Sequence, residues 1–210
     1  MTATASRADA SLVVPSGVAP PASIPADVFT AALRAYLSGQ KLDMRALARR
    51  LGVGRSTLYR RAGNREQLLD EVIWWRSRRA LTAAVASSAA LRGVPRVVAV
   101  VNTVLRGAID DGALHAFLDS EPGAALRILT GARSTVQQGM TRTLENLIDL
   151  EVARGHLRLG LDTPTLTYAI VRISEGFLYS DIIADRTPDV ERASTVIAAL
   201  LRGLDSIGER

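Results

Sequence analysis

From Ile24 to the C-terminus, apolar residues recur three and four positions apart, while Val/Ile/Thr alternation over strand-length runs is scarce. That is the period of a helix with one buried face, so the chain is expected to pack helix against helix, an all-α fold without a sheet. The pattern predicts helices at 25–38, 44–51, 55–60, 65–88, 95–110, 122–131, 134–154, 164–184 and 188–206. Pro25, Pro95, Pro122, Pro164 and Pro188 stand where helices would begin, because proline fixes φ and lacks an amide hydrogen that the first turn does not use. Asp43, Thr163 and Thr187 are the expected N-caps. Gly39, Gly52 and Gly155 fall where helices would end.

Composition narrows the chemistry. There is no cysteine, which removes disulfides and thiolate metal sites, and the two histidines, His115 and His156, lie far apart without ligand spacing. No metal and no cofactor is expected. The opening 24 residues are rich in Ala, Pro, Ser and Thr, and their longest apolar run is Leu12-Val13-Val14, too short for a signal-peptide core. They are expected to form a disordered arm, and the chain is expected to be cytoplasmic, with no membrane partner.

Charge is distributed unevenly. The formal net charge is +5, yet from Arg34 to Arg79 twelve Arg or Lys stand against four Asp or Glu, leaving the rest at about −3. One end is therefore a footprint for a polyanion. Within it, "MRALARRL" places Met44, Leu47, Ala48 and Leu51 on one face and turns Arg45, Arg49 and Arg50 outward. "GVG" makes a tight turn, and "RSTLYRR" follows as a second helix with Leu58 facing inward. Two short helices joined through a glycine turn form a helix-turn-helix, whose second helix enters the major groove of double-stranded DNA. Arg55, Ser56 and Thr57 open that second helix. Arg55 is suited to a bidentate guanine contact worth ~1–3 kcal/mol of discrimination, and Thr57 to a thymine methyl or a phosphate. Arg45, Tyr59, Arg60 and Arg65 complete the expected contact set, with the last three read as backbone contacts.

The stretch "MRALARRLGVGRSTLYRRAGNREQLLDEV" resembles the DNA-binding segment of the TetR family of bacterial repressors. Gly52-Val53, Thr57-Leu58-Tyr59, Gly63, Arg65-Glu66 and Leu68 carry the likeness. The chain departs from that pattern at Gly54, where Ser is usual, at Arg61, where an aromatic or His is usual, and at Ala62, where Phe is usual. Arg65 replaces the usual lysine. The resemblance implies a three-helix DNA-binding domain at 25–70 and a larger helical bundle at 71–210 that binds a small effector and forms a homodimer on a palindromic operator.

The second half carries residues fit for both tasks. Tyr168, Arg172, Glu175 and Tyr179 recur at four, three and four positions on an otherwise apolar helix, which aligns them on one face. They could line a ligand cavity, or Arg172 and Glu175 could be an ordinary surface pair. Asn102 and Arg106 pose the same choice, and Gln137 and Met140 are candidates from the next long helix. Trp74 and Trp75 point about 100° apart on a helix, so at most one reaches a cavity, and Trp75 is placed in the candidate set. Dimer contacts are expected from Phe177, Leu178, Ile197, Leu200, Leu201 and Leu204, although an internal core accounts for that stripe equally well. The run "WWRSRRALTAAV" is similar to regulators tied to quorum-signal lactone breakdown in actinobacteria, which implies a lactone or acyl-lactone effector.

Other functions compete. An all-helical enzyme would need a nucleophile set or a phosphate loop, and "GVGRST" lacks both the G-x-x-x-x-G-K-[ST] pattern and a preceding strand. A nonspecific DNA-binding protein would share the basic footprint and differ only in sequence preference, and an effector-independent regulator would share both and lack the ligand.

Overall fold

The computed structural model describes residues 21–184 and 186–207. The expected arm over 1–24 lies outside these residues as far as residue 20. Its last four residues are placed: the Ile24 amide closes a turn on the Pro21 carbonyl at 3.2 Å, and Ile24 is buried. The packed chain thus starts before Pro25.

All regular structure among the described residues is helical. The first three helices, α1 (Ala26–Leu37), α2 (Met44–Arg50) and α3 (Arg55–Ala62), are short and form the basic end. The long α4 (Arg65–Ser87) leads out of it, and α5 (Gly93–Ile109), α6 (Gly112–Ser120), α7 (Pro122–Thr130), α8 (Thr135–Ala153), α9 (Thr163–Glu175), the single turn α10 (Asp181–Ile183) and α11 (Val190–Ile207) complete the body. Between α9 and α10 the helix widens into a π turn at Gly176–Ser180.

Helix starts are set by carboxylates more often than by prolines. Asp162, rather than Thr163, caps α9 by accepting from the Thr165 amide at 2.9 Å. Asp189, rather than Thr187, accepts from the Arg192 amide at 2.9 Å at the head of α11. In each case a carboxylate near the expected threonine is the stronger acceptor for an exposed amide. Helix α6 was not expected. It is nucleated by Asp111, which accepts from Ala113 and Leu114 at 3.0 and 3.3 Å, and it buries Leu114, Phe117 and Leu118.

Two apolar clusters hold the molecule. The first joins α1–α3 to the N-terminal half of α4 and to α6 and α7, with Phe29, Leu58, Leu68 and Leu118 fully enclosed. The second gathers the C-terminal half of α4 with α5, α8, α9 and α11 around Ile148, Leu166, Ile170 and Ile197. Helix α4 serves both, so any tilt of α4 in the body moves the basic end. It also holds α8 directly, because the Asp70 carboxylate accepts from Thr135 and Val136 amides at 2.7 and 3.1 Å.

The start of α5 is fixed by a buried carboxylate. Glu151, with no solvent exposure, accepts from the Gly93 amide at 2.6 Å, Arg96 Nη1 at 2.6 Å and His156 Nδ1 at 3.2 Å. Burial pushes its carboxyl up, but these three donors together outweigh burial and hold it below the ordinary range. Gly93 has φ +57°, and a Cβ there would lie 2.3 Å from the His156 carbonyl oxygen, so only glycine fits. This places the start of α5 at Gly93, two residues before the expected Pro95. Among the described residues no helix is long and apolar enough to cross a membrane.

Candidate nucleic-acid interface and ligand cavity

The basic end has the predicted geometry. Asp43 caps α2 through the amides of Arg45 and Ala46 at 2.7 and 3.2 Å. Met44, Leu47 and Ala48 face inward. Gly52, at φ +64°, reverses the chain, and the Gly52 and Val53 amides return to the Arg49 and Ala48 carbonyls. Helix α3 then begins on Gly54, which has no side-chain cap, and it is anchored by Leu58 and Ala62. Ala62 is closed to solvent with a methyl group alone, and the neighbouring Leu68 is fully enclosed.

What α2 and α3 present outward is a set of uncommitted cations. Arg45, Arg49, Arg50, Arg55, Arg60 and Arg61 are all exposed. Among the described residues none of the six takes part in a salt bridge. Ser56 is exposed, Tyr59 is 49% exposed and Thr57 half-buried. Elsewhere several arginines are paired, among them Arg76 with Asp111, Arg96 with Glu151, Arg106 with Glu191, Arg127 with Glu66 and Arg172 with Glu175. Arg65 belongs with this second group. Its Nε donates to the Leu42 carbonyl at 2.8 Å and its Nη2 to Glu121. It therefore ties the basic end to the α6–α7 junction instead of standing free for a phosphate.

The second feature is a partly open cavity of about 100 Å³ lined by α4, α5, α7, α8, α9 and the π turn. Its walls are aliphatic, as at Leu81, Val101, Leu105, Leu144 and Ile170, and one end is polar. That end comprises Gln137, Ser174, Glu175 and Tyr179. With the Gln137 amide oriented so that its nitrogen faces them, it donates to Glu175 Oε1 at 2.7 Å and to the Leu129 carbonyl at 3.2 Å. Arg172 Nη1 donates to Glu175 Oε2 at 2.6 Å from outside the cavity. Burial holds the Glu175 carboxyl above its ordinary range against the opposing pull of Arg172 and Gln137. Burial, with the nearby Glu175, likewise pushes the Tyr179 phenol up.

Four of the nine residues expected to meet an effector line this cavity: Gln137, Met140, Glu175 and Tyr179. Five do not. Trp75 is enclosed in the first cluster, edge-on to Phe29 at 5.5 Å and beneath the Arg79 guanidinium. Asn102 and Arg106 tie α5 to α11, where Asn102 Nδ2 donates to Ser194 at 2.9 Å and Arg106 pairs with Glu191. Tyr168 is 58% exposed under the Arg172 guanidinium, and Arg172 sits behind Glu175. Sequence reasoning missed the aliphatic walls from α5, whose Val-rich run reads only as core.

The expected dimer set also divides. Leu178, Ile197 and Leu201 are sealed inside the chain's own second cluster and are out of reach of a second copy. Phe177, Leu200 and Leu204 are half-buried. The outer surface of the same helices shows Tyr168, Ile183 and Val196, 58%, 45% and 41% exposed.

Comparison with known proteins agrees with this architecture. The family profile described as "Bacterial regulatory proteins, tetR family" matches residues 40–72, and that described as "Tetracyclin repressor-like, C-terminal domain" matches residues 92–202. A search of curated proteins found no match. Among solved structures, the transcriptional repressor QsdR of R. erythropolis, described as from the TetR family, is 30% identical, with 85% of this chain and 96% of that one covered at a TM-score of 0.76. The fatty acid degradation regulator FadR of Bacillus halodurans is 18% identical over 84% of this chain and 93% of its own, TM-score 0.55. FadR of Bacillus subtilis, solved with stearoyl-CoA, is 15% identical over 83% and 96%, TM-score 0.56.

Proposed function

The chain belongs to the TetR family of bacterial regulators, and from that premise we propose that it is a dimeric cytoplasmic repressor released from its operator by a small, largely apolar effector. The observation that carries the DNA-binding part is the concentration of six exposed guanidinium groups, none in a salt bridge among the described residues, on the two short adjoining helices α2 and α3. Repulsion among like charges this close is relieved by a polyanion. Arg55 and Ser56 stand at the head of α3, Thr57 beside them, and Arg45, Tyr59 and Arg60 reach the flanking backbone. A single recognition helix of eight residues gives limited specificity. Two copies spaced by ~34–36 Å, one helical turn of DNA, multiply it. The surface around Val196, Ile183, Tyr168, Phe177, Leu200 and Leu204 is the part of α9–α11 that a second copy can reach.

The cavity supports the effector part. At about 100 Å³ it is smaller than the ~150 Å³ space that accepts benzene, and it is partly open, so a larger ligand reaches out through the opening or parts the helices around it. Leu81 in its wall belongs to α4, which continues into the basic end. An effector therefore acts by favouring a spread arrangement over the compact one, through unequal affinity for the two. A lactone or acyl-lactone is the candidate that the sequence likeness in 74–85 supplies. Repression, rather than activation, follows the 30% identical neighbour, itself a transcriptional repressor.

The test is selection of bound genomic fragments followed by competition. A specific regulator prefers its selected palindrome over bulk DNA by ~10³ or more, and an effector abolishes the preference. Equal affinity for every duplex would leave a nonspecific binder.

A further inference from the structure

The polar end of the cavity has a chemistry that selects among effectors. Glu175 lies in the wall with a carboxylate bracketed by one donor on each oxygen, Gln137 on Oε1 at 2.7 Å and Arg172 on Oε2 at 2.6 Å. A carboxylate oxygen accepts two hydrogen bonds, so each keeps one acceptor position open. Among the described residues lining the cavity none is Lys, Arg or His, because Arg172 approaches Glu175 from behind. The remaining polar lining is the hydroxyls of Ser174, which already donates to the Ile170 carbonyl at 2.8 Å, and Tyr179; the rest is aliphatic, so no cation offsets the hydration that an anion loses.

Resting on the reading of this cavity as the effector site, we propose that the effector is an uncharged amphiphile whose polar head donates a hydrogen bond to Glu175, as a hydroxyl or an amide N–H does, and that carboxylates are excluded. An anionic head would be buried against a second carboxylate with no facing cation, whereas an O–H or N–H completes an open acceptor. A bare lactone ring carries acceptors alone and meets the criterion only with a hydroxyl or amide attached.

The experiment uses the full chain at pH 8 with 1-octanol, octanamide, methyl octanoate and octanoate. Binding is followed by calorimetry and melting temperature, and release from the selected operator by fluorescence anisotropy. The expected result is that the alcohol and the amide bind at least tenfold more tightly than octanoate and more tightly than the ester, and that they release DNA. Octanoate or the ester binding as well as the donors overturns the proposed class while leaving the effector site standing. Failure of all four to bind, or binding without any release of DNA, overturns the effector reading itself. In Glu175→Gln, which keeps an acceptor and removes the charge, the gap between octanol and octanoate is expected to shrink to within threefold. An unchanged gap in a folded variant overturns the role of Glu175, and the comparison in the parent protein stands without the variant.

Discussion

Replacing Glu151 with alanine tests whether the buried carboxylate, and not merely helix packing, sets the start of α5. The side chain has no exposure and takes three donors, from Gly93, Arg96 and His156. Its removal strands the Arg96 guanidinium, 7% exposed and already carrying a buried Nε without a partner. Breaking one side of a buried pair costs ~3–5 kcal/mol, because the remaining charge has neither water nor counter-ion. In a chain of this length each kcal/mol lowers the melting temperature by ~2–4 °C, so a fall of roughly 6–20 °C is expected by calorimetry. The matched control is Glu191→Ala, which breaks the Arg106–Glu191 pair, whose side chains are 61% and 69% exposed. Exposed pairs contribute ~0–1 kcal/mol, so the control should melt within about 4 °C of the parent. The pH profile has a definite sign. A carboxyl held below its ordinary value stabilises the fold fully above the unfolded value, near 4.5, and loses that contribution as pH falls through the lower folded value. The excess stability of the parent over Glu151→Ala should therefore shrink only in acid. Equal melting of the two variants, or a difference independent of pH down to acid unfolding, would refute the reasoning.

Three further outcomes follow from the same structure. Leu58→Ala empties a fully enclosed site in α3 at a cost of ~2–5 kcal/mol; DNA binding should be lost and chemical denaturation should show early melting of the basic end. Gly54→Ser gives α3 the side-chain cap it lacks, in a space where the nearest contacts to a Cβ are 3.9 and 4.0 Å. It should raise the melting temperature by ~1–4 °C, a gain of ~0.5–1 kcal/mol, and a lower melting temperature counts against that geometry. Val196→Glu places a charge on the exposed face of α11 and should weaken self-association by ~3–5 kcal/mol if that face is covered in the dimer, read as monomer by sedimentation at micromolar concentration.

Much of this was legible in residue order, and the parts that were not share a physical cause. The α2–turn–α3 unit could be read because each step has a local determinant: the Asp43 cap, the inward Met44, Leu47 and Ala48, and a glycine at the reversal. Helix α6 was overlooked although Leu114, Phe117 and Leu118 keep helical spacing, because nine residues beside a glycine and two aspartates also read as a loop. Cap positions slipped by one or two residues where Asp162 and Asp189 lie beside or near threonines. Placement across helices is a different matter. The spacing of Tyr168, Arg172, Glu175 and Tyr179 put them on one face of a regular helix, but Arg172 and Tyr168 lie at its edge. The π turn at Gly176–Ser180 lies beyond these two, and Tyr179 within it still reaches the cavity. Helix α11 is one-sided, with Glu191, Arg192, Thr195 and Arg202 outward and Ile197 and Leu201 inward, but a one-sided apolar stripe reads alike as an internal core or a dimer seam. A helical period fixes which residues share a face, while tertiary packing decides what that face meets.

The most direct test of the central claim is the salt dependence of operator binding in two charge-matched variants. One carries Arg45→Ala and Arg60→Ala, removing two unpaired exposed guanidinium groups. The other carries Arg106→Ala and Arg127→Ala, removing two exposed but paired ones. If free guanidinium groups meet phosphates in both halves of a dimer, four contacts vanish in the first variant. The slope of log K against log salt should then become shallower by roughly 3–4, with affinity at least a hundredfold weaker, while the second variant stays near the parent. Equal slopes in the two variants, or a larger loss in the paired set, would contradict it.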